Sequence, residues 1–356
     1  MKNYGFYSSV YLDKYIYWLT RDKGIFVRKN LETNHIEFIQ ISKEINMEYS
    51  TVLCVDNRII YGVLNSGKTF FAYNTEDSSV STFEINKQQY SLDLITYTGL
   101  CDGKIVIIGR YSKNIIYIDK ENGEVEEMAL LEEKDSINNH RIFSRGFIKQ
   151  GNDVYVFNHE NSQVIKIDIC KKEVERIPIT NEIGYIEDGI SVGDGFFLLN
   201  DKDEIYKCDR YFQNQEMFYS YSMERKKQYF SGLIGNEKEM LLLSKYGDVF
   251  IRVDLNSGNE IEVIQYPIGT EYKKIDIVGH SPSVTSIGED KYCIGMYGTN
   301  QLFCIDKNNF GEYLFYKVDI EGDSEIEYLR NRGIEYFIEG EYDIKDFIDY
   351  IDNVQV

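Results

Sequence analysis

Short runs of apolar residues recur along this chain, and each is followed by a segment in which apolar and polar residues alternate. The continuous runs, such as KIVIIG, GFFLLN and MLLLS, are typical of strands covered on both faces. The alternating segments, such as DEIYKCD and DVFIRVD, predict a further strand, and turn residues such as NSG follow them. Between residues 142 and 179 the pattern predicts four successive strands: FSRGFIKQ, DVYVFN, QVIKID and EVERIPI.

This four-strand unit occurs seven times, because two independent sets of residues recur with a similar period. A small polar residue opens the first strand of each unit, at Ser8, Ser50, Thr98, Ser144, Asp188, Ser231 and Ser281. A second residue ends the third strand of each unit, at Lys29, Asn74, Asp119, Asp168, Asp209, Asp254 and Asp306. A period of about 45 residues with several short strands per unit predicts an all-β fold, a seven-bladed β-propeller of four-stranded antiparallel blades.

The predicted propeller occupies residues 1–320, with blades at 4–41, 49–86, 96–131, 142–179, 186–221, 228–266 and 279–320. In a propeller the first strand of each blade is innermost and lines a central channel. The loops between the second and third strands, and the loops between blades, surround one mouth of that channel. We therefore expect the Ser/Thr/Asp set to form a ring near this mouth, required either by the crowding of seven strands or for contact with a ligand.

Residues 321–356 break the repeat and form an acidic C-terminal extension. They contain 11 acidic and 3 basic residues, a net charge of −8 within the −20 of the whole chain. Ile344, Phe347, Ile348 and Ile351 form one apolar stripe, which predicts an amphipathic helix near 343–352 with Asp343 as its N-cap. This helix either docks on its own propeller or is offered to a partner's groove.

The net charge of −20 bears on the partners of this protein. Nucleic acid and anionic membranes both require clustered Lys and Arg, and the sequence shows no basic stripe. We therefore expect neither nucleic acid nor membrane as a partner.

The six cysteines form no C-x-x-C pair, and most lie within predicted strands. We expect them to be reduced and structural, with zinc binding or a disulfide as the alternatives. The first residues lack an uninterrupted apolar segment, so a signal peptide is not expected, and no apolar run reaches 18 residues. These features predict a cytoplasmic location.

The turns IDKENGEV and VDLNSGNEI resemble those of the quinoprotein-like and YVTN-like members of the β-propeller superfamily. Three other propeller families are poorly matched. WD40 blades would carry repeated Trp-Asp pairs, yet Trp18 is the only tryptophan; the Gly-Gly pairs of kelch blades and the S-x-D-x-G-x-T-W boxes of sialidases are also absent. The resemblance implies the fold and transfers no catalytic residue.

Polar and aromatic residues at the predicted mouth are the candidates for binding a ligand or partner. Arg and Tyr are favoured anchors at interfaces, although ordinary loop positions also carry them. The candidates are Arg21, Arg110, Arg145, His159, Asp188, Tyr246, His280 and Tyr297. His140, His159 and His280 would be the ligands of a shared metal-assisted site, or else solvated loop residues. The acidic segment 200–204 lacks the spacing of an EF-hand loop and is interpreted as an acidic turn.

The sequence contains no G-x-S-x-G, P-loop or dinucleotide-binding motif, and no cofactor or metal is predicted. The favoured hypothesis is a non-catalytic platform that recognises a protein or peptide through the channel-mouth face, as a monomer or as part of a larger complex. The alternative is an enzyme of the lyase or hydrolase type with a polar site at the mouth. A purely structural subunit is a third possibility.

Overall fold

Twenty-eight strands form seven four-stranded antiparallel sheets in a computed structural model of the chain. The structure describes residues 6–20, 26–39, 41, 51–64, 69–85, 95–131, 142–159, 163–180, 183–221, 230–244, 249–265, 283–295 and 301–317. Within each sheet the strands follow chain order, so every blade comes from one continuous segment. The predicted seven-bladed β-propeller is confirmed, and the ends of the seven described sheets lie within four residues of the ends of the predicted blades. The predicted helix near 343–352 lies outside the described residues.

The strands are short, with four to eight residues each. Blades 1 to 4 contain β1 (Phe6–Leu12), β2 (Tyr15–Thr20), β3 (Phe26–Asn30), β4 (Ile36–Ile39); β5 (Thr51–Asp56), β6 (Ile59–Leu64), β7 (Thr69–Asn74), β8 (Val80–Glu84); β9 (Ile95–Cys101), β10 (Lys104–Gly109), β11 (Asn114–Asp119), β12 (Val125–Ala129); β13 (Phe143–Gln150), β14 (Asp153–Asn158), β15 (Gln163–Asp168) and β16 (Glu173–Pro178). Blades 5 to 7 contain β17 (Ile186–Val192), β18 (Gly195–Asn200), β19 (Glu204–Asp209), β20 (Glu216–Ser220); β21 (Phe230–Gly235), β22 (Glu239–Ser244), β23 (Val249–Asp254), β24 (Glu260–Gln265); β25 (Ser283–Ile287), β26 (Lys291–Gly295), β27 (Gln301–Asp306) and β28 (Tyr313–Lys317).

The apolar core lies between the blades. Seven clusters of buried side chains are present, and each joins two neighbouring blades around the ring. The second strand of a blade is covered on both faces, which explains its continuous apolar sequence; all six residues of β22 are buried. The outermost strands are largely exposed, as β16 shows.

The third-strand repeat residues are turn formers. Asp254 ends β23, and its Oδ1 accepts the backbone N–H of Asn256 at 3.0 Å and of Ser257 at 2.8 Å. Such a side chain stabilises the tight turn that follows the strand. In blade 1 this role belongs to Asn30, whose Oδ1 accepts the N–H groups of Glu32 and Thr33, so the assignment of Lys29 was wrong by one residue.

Six of the seven inner strands carry a β-bulge close to their first residues. The register shifts between Ile186 and Asp188 in β17 and between Phe230 and Gly232 in β21, and β1, β5, β9 and β13 show comparable shifts. A bulge bends its strand and re-aims the adjacent side chains. The bulges therefore decide which residues face the channel at its mouth.

Two of the six cysteines form a disulfide. Cys101, at the end of β9, is bonded to Cys170, in the turn after β15, across the junction of blades 3 and 4. The expectation that all six cysteines are reduced is wrong for this pair. The remaining four, Cys54, Cys208, Cys293 and Cys304, are free thiols. In the described part of the chain, no helix is both long enough and apolar enough to cross a membrane.

Candidate functional site

A cavity of about 710 Å³ occupies the centre of the ring. The inner strands of all seven blades contribute to its wall, as expected for the central channel of a propeller. Its size falls within the range of small-molecule sites in proteins. The strand order places the predicted mouth at the end where the inner strands begin.

The Ser/Thr ring links neighbouring blades by hydrogen bonds. Ser8 Oγ lies 2.5 Å from Thr51 Oγ1, Thr98 Oγ1 donates to Leu53 O at 2.9 Å, and Thr96 Oγ1 donates to Ser144 O at 2.7 Å. Ser144 Oγ donates to Ile186 O, and Thr285 Oγ1 donates to Ser9 O at 2.9 Å. The hydroxyls therefore satisfy the backbone and one another where the strands crowd together, which gives most of the ring a structural role.

The ring residues do not all face the channel. Ser8, Thr98, Asp188 and Ser231 line the cavity, whereas Ser144 directs its hydroxyl to the next blade. Ser50 and Ser281 lie outside the described residues. Ser231 is 5% exposed, and its Oγ has no hydrogen-bond partner among the residues that the structure describes.

In blade 5 the repeat position is occupied by Asp188, so a carboxylate lies where the other blades have a serine or threonine hydroxyl. Its Oδ2 accepts the N–H of Leu233 at 2.7 Å, and its Oδ1 accepts the N–H of Gly189 at 2.8 Å. Gly146 allows this close approach, because a Cβ there would lie 2.4 Å from the Cα of Asp188. Loss of hydration raises the pKa of Asp188 to about 7, although the two backbone N–H groups and the charge of Arg145 oppose the rise.

A second polar group lies at the mouth between blades 4 and 5. His159 follows β14, and its Nε2 lies 3.3 Å from Oε1 of Glu187, the bulged residue of β17. Glu187 is buried. The imidazole stacks on Tyr185 with ring centroids 5.0 Å apart and an angle of 14° between the planes.

Backbone contacts hold this group in place. His159 N donates to Ile142 O at 2.7 Å, and Asp201 N donates to Tyr185 O at 2.9 Å. Asp201 Oδ1 in turn accepts the N–H of Tyr185 at 3.2 Å. Tyr185 is nonetheless 45% exposed, so an ordered aromatic ring faces solvent beside the channel.

The channel wall is more basic than the protein as a whole. The charged residues among its described lining are Arg145 and Lys149 on β13 and Asp188 on β17. Lys149 lies with Nζ 6.0 Å from the centroid of the Tyr97 ring, and no described carboxylate forms an ion pair with it. Among the described residues of the wall the net charge is +1, or +2 when Asp188 is protonated, in a chain of net charge −20.

Four of the eight candidate residues are described, and they lie on consecutive blades. At the junction of blades 4 and 5, Arg145 acts electrostatically on Asp188, and His159 contacts the neighbouring Glu187. Arg110 follows β10 in blade 3, and its carbonyl oxygen accepts the N–H groups of Ile142 and Phe143 at the start of blade 4. The other candidates lie outside the described residues: Arg21, Tyr246, His280 and Tyr297.

Three residues of the site were missed in the sequence. Glu187 was missed because the sequence of apolar and polar residues in β17 does not reveal the bulge that buries it. Tyr185 lies in a loop between blades, where many aromatic residues have no fixed orientation. Lys149 could have been considered, since it lies on the same predicted inner strand as Arg145, although the bulge between Phe143 and Phe147 breaks the alternation that would relate their faces.

The acidic segment after β18 is a structural turn. Asn200 Nδ2 donates to Ile183 O at 2.6 Å, and Asp203 Oδ1 accepts the N–H of Phe230 in blade 6 at 2.8 Å. Among the described residues, the one group close enough to share a metal is Cys101, Asp102 and Cys170. A metal would require thiolates there, whereas the two sulfur atoms are bonded to each other.

No protein-family model and no curated protein matches this sequence. Several solved structures are similar to it. PorZ, a bacterial surface component of the type-IX secretion system of Porphyromonas gingivalis, aligns with a TM-score of 0.56 and 9% identity over 90% of this chain, which spans only 39% of PorZ. YCF48, solved with a bound D1 peptide, aligns with a TM-score of 0.56 and 12% identity over 90% of this chain and 94% of its own.

An enzyme is also among the similar structures. Virginiamycin B lyase from Staphylococcus aureus aligns with a TM-score of 0.50 and 13% identity over 76% of this chain and 84% of its own. At such identities the similarity shows the fold alone. Propellers with this architecture therefore include a peptide-bound protein and an enzyme, and function has to be argued from the site.

Proposed function

We propose that this propeller is a non-catalytic recognition platform that binds a protein or peptide partner across the channel mouth at blades 4 and 5. The observation that supports this most directly is Tyr185, which is 45% exposed yet stacked on His159. An aromatic ring that is ordered before binding loses little conformational freedom when a partner covers it. Tyr is also enriched among the residues that dominate binding energy at protein interfaces.

The surroundings of Tyr185 suit a peptide. Asp201, which is half-buried, offers an acceptor beside the ring, and the imidazole of His159 offers a donor or an acceptor according to its tautomer. A peptide presents N–H and C=O groups along its length, so these neighbours would fix its position while the aromatic ring supplies contact area. YCF48, which shares the fold, was solved with a peptide bound.

The proposal is tested by affinity capture from the native cell with three forms of the full chain. The wild type is expected to retain a partner in stoichiometric amount, and Tyr185→Ala is expected to retain at least about tenfold less. Tyr211→Ala is the matched control, because Tyr211 is 57% exposed on the same blade. It lies in the turn after β19, on the face of the propeller opposite the predicted mouth. Repeated capture without any partner, or equal losses in both variants, would contradict the proposal.

One observation favours an enzyme of the lyase or hydrolase type as a second candidate. The contact between His159 and the buried Glu187 has the arrangement of a general base and the carboxylate that orients it. The test is a screen of ester and lactone substrates with the wild type and His159→Gln. Turnover that disappears in the variant would support the enzyme, and a screen without turnover would leave the recognition platform as the better account.

A further inference from the structure

We infer that the central channel is a binding site for a small oxyanion, a carboxylate or phosphate ligand, held against the wall of blade 4 by Arg145 and Lys149. This site goes beyond the recognition surface around Tyr185. The cavity has a volume of about 710 Å³, which accommodates a small metabolite but not a folded domain.

The first argument is charge. Among the described residues of the wall, two of the three charged ones are cations, although acidic residues outnumber basic ones by 59 to 39 in the whole chain. Lys149 has no ion-pair partner among the described carboxylates. A channel with an excess of one sign of charge and low-dielectric walls concentrates counter-ions of the opposite sign, and here that counter-ion is an anion.

The second argument concerns the hydroxyl groups of the channel wall and the hydrogen bonds that they make. Most hydroxyls in the ring already bond to a neighbouring blade, as Thr96, Thr98 and Ser144 do. Ser231 is the exception, since it lines the cavity, is buried, and has no partner for its hydroxyl among the described residues. An unsatisfied buried hydroxyl costs stability unless another molecule supplies its hydrogen bond.

These groups lie together in three consecutive blades. Arg145 is on β13, Asp188 on β17 and Ser231 on β21, and Asp188 already joins blades 5 and 6 through the N–H of Leu233. Lys149 lies four residues beyond Arg145, about 13 Å further along the strand. A guanidinium pairs with two oxygen atoms of one carboxylate or phosphate, and the ammonium then binds a second anionic group of an elongated ligand.

Asp188, the acidic residue among the described lining, does not argue against an anion site in the channel. Both carboxylate oxygens of Asp188 accept backbone N–H groups, from Gly189 and Leu233, so its charge is partly balanced in place. Arg145 on β13 and Glu187 on its own strand are the charged groups that act on it. Its carboxyl group takes up a proton near neutral pH, which makes the channel more favourable for an anion below pH 7.

The test is isothermal titration of the full chain at pH 6.5 in low salt with succinate, citrate and inorganic phosphate. Succinamide, which has the shape of succinate without its charge, is the control ligand. The wild type is expected to bind at least one of the three anions saturably at one site per chain, and not succinamide. The anion that binds distinguishes a carboxylate ligand from a phosphate ligand.

Variants locate the site. For succinate or citrate, which carry more than one carboxylate, Arg145→Gln and Lys149→Gln are each expected to weaken binding by about tenfold or more, because each loses a charge-assisted hydrogen bond; for inorganic phosphate this loss is expected in Arg145→Gln. Lys171→Gln is the matched control, since it removes the same charge from blade 4 at a side chain that is 71% exposed in the turn after β15. Should Arg145→Gln fail to fold, Lys149→Gln decides the question, because Lys149 is exposed to the channel.

Three results would overturn the inference: no saturable binding of any of the three anions, binding that both channel variants retain in full, or equal weakening by Lys171→Gln. The recognition surface around Tyr185 can be tested separately from the channel site, because Tyr185→Ala is expected to leave anion affinity unchanged while it reduces partner capture. Loss of anion binding together with normal partner capture in Arg145→Gln would confirm that the two sites differ.

Discussion

The Asp188 side chain joins two blades and changes its charge near neutral pH. Its carboxylate accepts backbone N–H groups from its own blade and from Leu233 in blade 6. A serine or threonine at this position would make a similar link without a charge, as Thr98 does in blade 3. The carboxylate therefore adds a dependence on pH to a link that other blades make with hydroxyls.

We predict that Asp188 makes the protein less stable as the pH rises through 7. Burial raises its pKa to about 7, above the value of about 4 expected in the unfolded chain. The folded state then binds more protons than the unfolded state between these values, so the contribution of Asp188 is present at low pH and lost as pH rises. Between pH 5.5 and pH 8 this loss is about 2 kcal/mol.

Urea titrations at several pH values check this prediction. In Asp188→Asn the part of the pH dependence that belongs to Asp188 disappears, although the variant loses some stability at every pH because an amide replaces one acceptor. Asp194→Asn is the control, since Asp194 is exposed in the turn between β17 and β18. A slope between pH 5.5 and 8 that is the same in Asp188→Asn and in the wild type would contradict the assignment.

At the residue scale the sequence predicts turn residues better than site residues. An aspartate at the end of a third strand acts on its own turn, so neighbouring letters such as DLNSGNE are enough to identify it. Glu187 acts on His159, 28 residues earlier, and its orientation depends on a bulge. Contacts of that kind depend on the ring of blades, which the local sequence does not display.

At the scale of elements, the junction of blades 3 and 4 is linked more extensively than the repeat requires. The disulfide between Cys101 and Cys170 is accompanied by a hydrogen bond from Tyr117 Oη to Ile169 O at 3.1 Å. Lys172 pairs with Glu126 and also lies 4.9 Å from the centroid of the Tyr117 ring. These contacts join the turn after β15 to the sheet of blade 3.

We predict four reactive thiols per chain when the protein is denatured without reductant, and six after reduction. The four are Cys54, Cys208, Cys293 and Cys304. The disulfide closes a segment of 69 residues, for which loop-closure entropy corresponds to about 4 kcal/mol of stability. Reduction should therefore lower the melting temperature of the wild type, and should not affect a Cys101→Ser, Cys170→Ser double variant.

The thiol count also tests the cytoplasmic location, which stays a prediction. Disulfides persist in oxidising compartments and are rare where thiols are kept reduced. Because Cys208, Cys293 and Cys304 are buried, native cells should be quenched in acid and the protein alkylated under denaturing conditions without reductant; four thiols are then labelled if the disulfide is formed in the cell. Labelling of all six would show a reducing compartment and remove the disulfide from the functional state.

Most of the strands could be predicted from the sequence. Second strands read as continuous apolar runs because blades cover them on both sides, and third strands end at a turn-forming Asp or Asn. The bulges of the inner strands and the pairing of Cys101 with Cys170 could not be predicted from the sequence. Both depend on which segments lie side by side, and the spacing of 69 residues between these cysteines carries no such information.

At the scale of the whole molecule, one junction of the ring differs from the other six. Each of the junctions from blade 1 to blade 7 is crossed by the chain itself, whereas no segment within the described residues connects blade 7 to blade 1. Because each described sheet is built from a continuous segment, the first and last blades share none of the described strands. Trp18, Val27, Leu302 and Cys293 pack across this junction, and Thr285 bonds to Ser9.

We predict that the junction of blades 7 and 1 opens before the rest of the ring unfolds. Opening there requires no loop to stretch, and the structure can then lose blades from either end, as in other repeat proteins. Trp18 reports this event, because it is the only tryptophan and is fully buried in this junction. In a urea titration its fluorescence should change at a lower concentration than the far-UV circular dichroism.

Two matched substitutions test whether the early change belongs to that junction. Leu302 and Leu242 are both fully buried, the first between blades 7 and 1 and the second between blades 5 and 6. Replacement of either by alanine costs about 2–5 kcal/mol. Leu302→Ala should move the fluorescence transition further from the circular dichroism transition, because it weakens only the junction that opens first. Leu242→Ala should instead lower the circular dichroism midpoint. Transitions that coincide in the wild type and in both variants would show that the ring unfolds as one cooperative unit, with the junction between blades 7 and 1 as stable as those that the chain crosses.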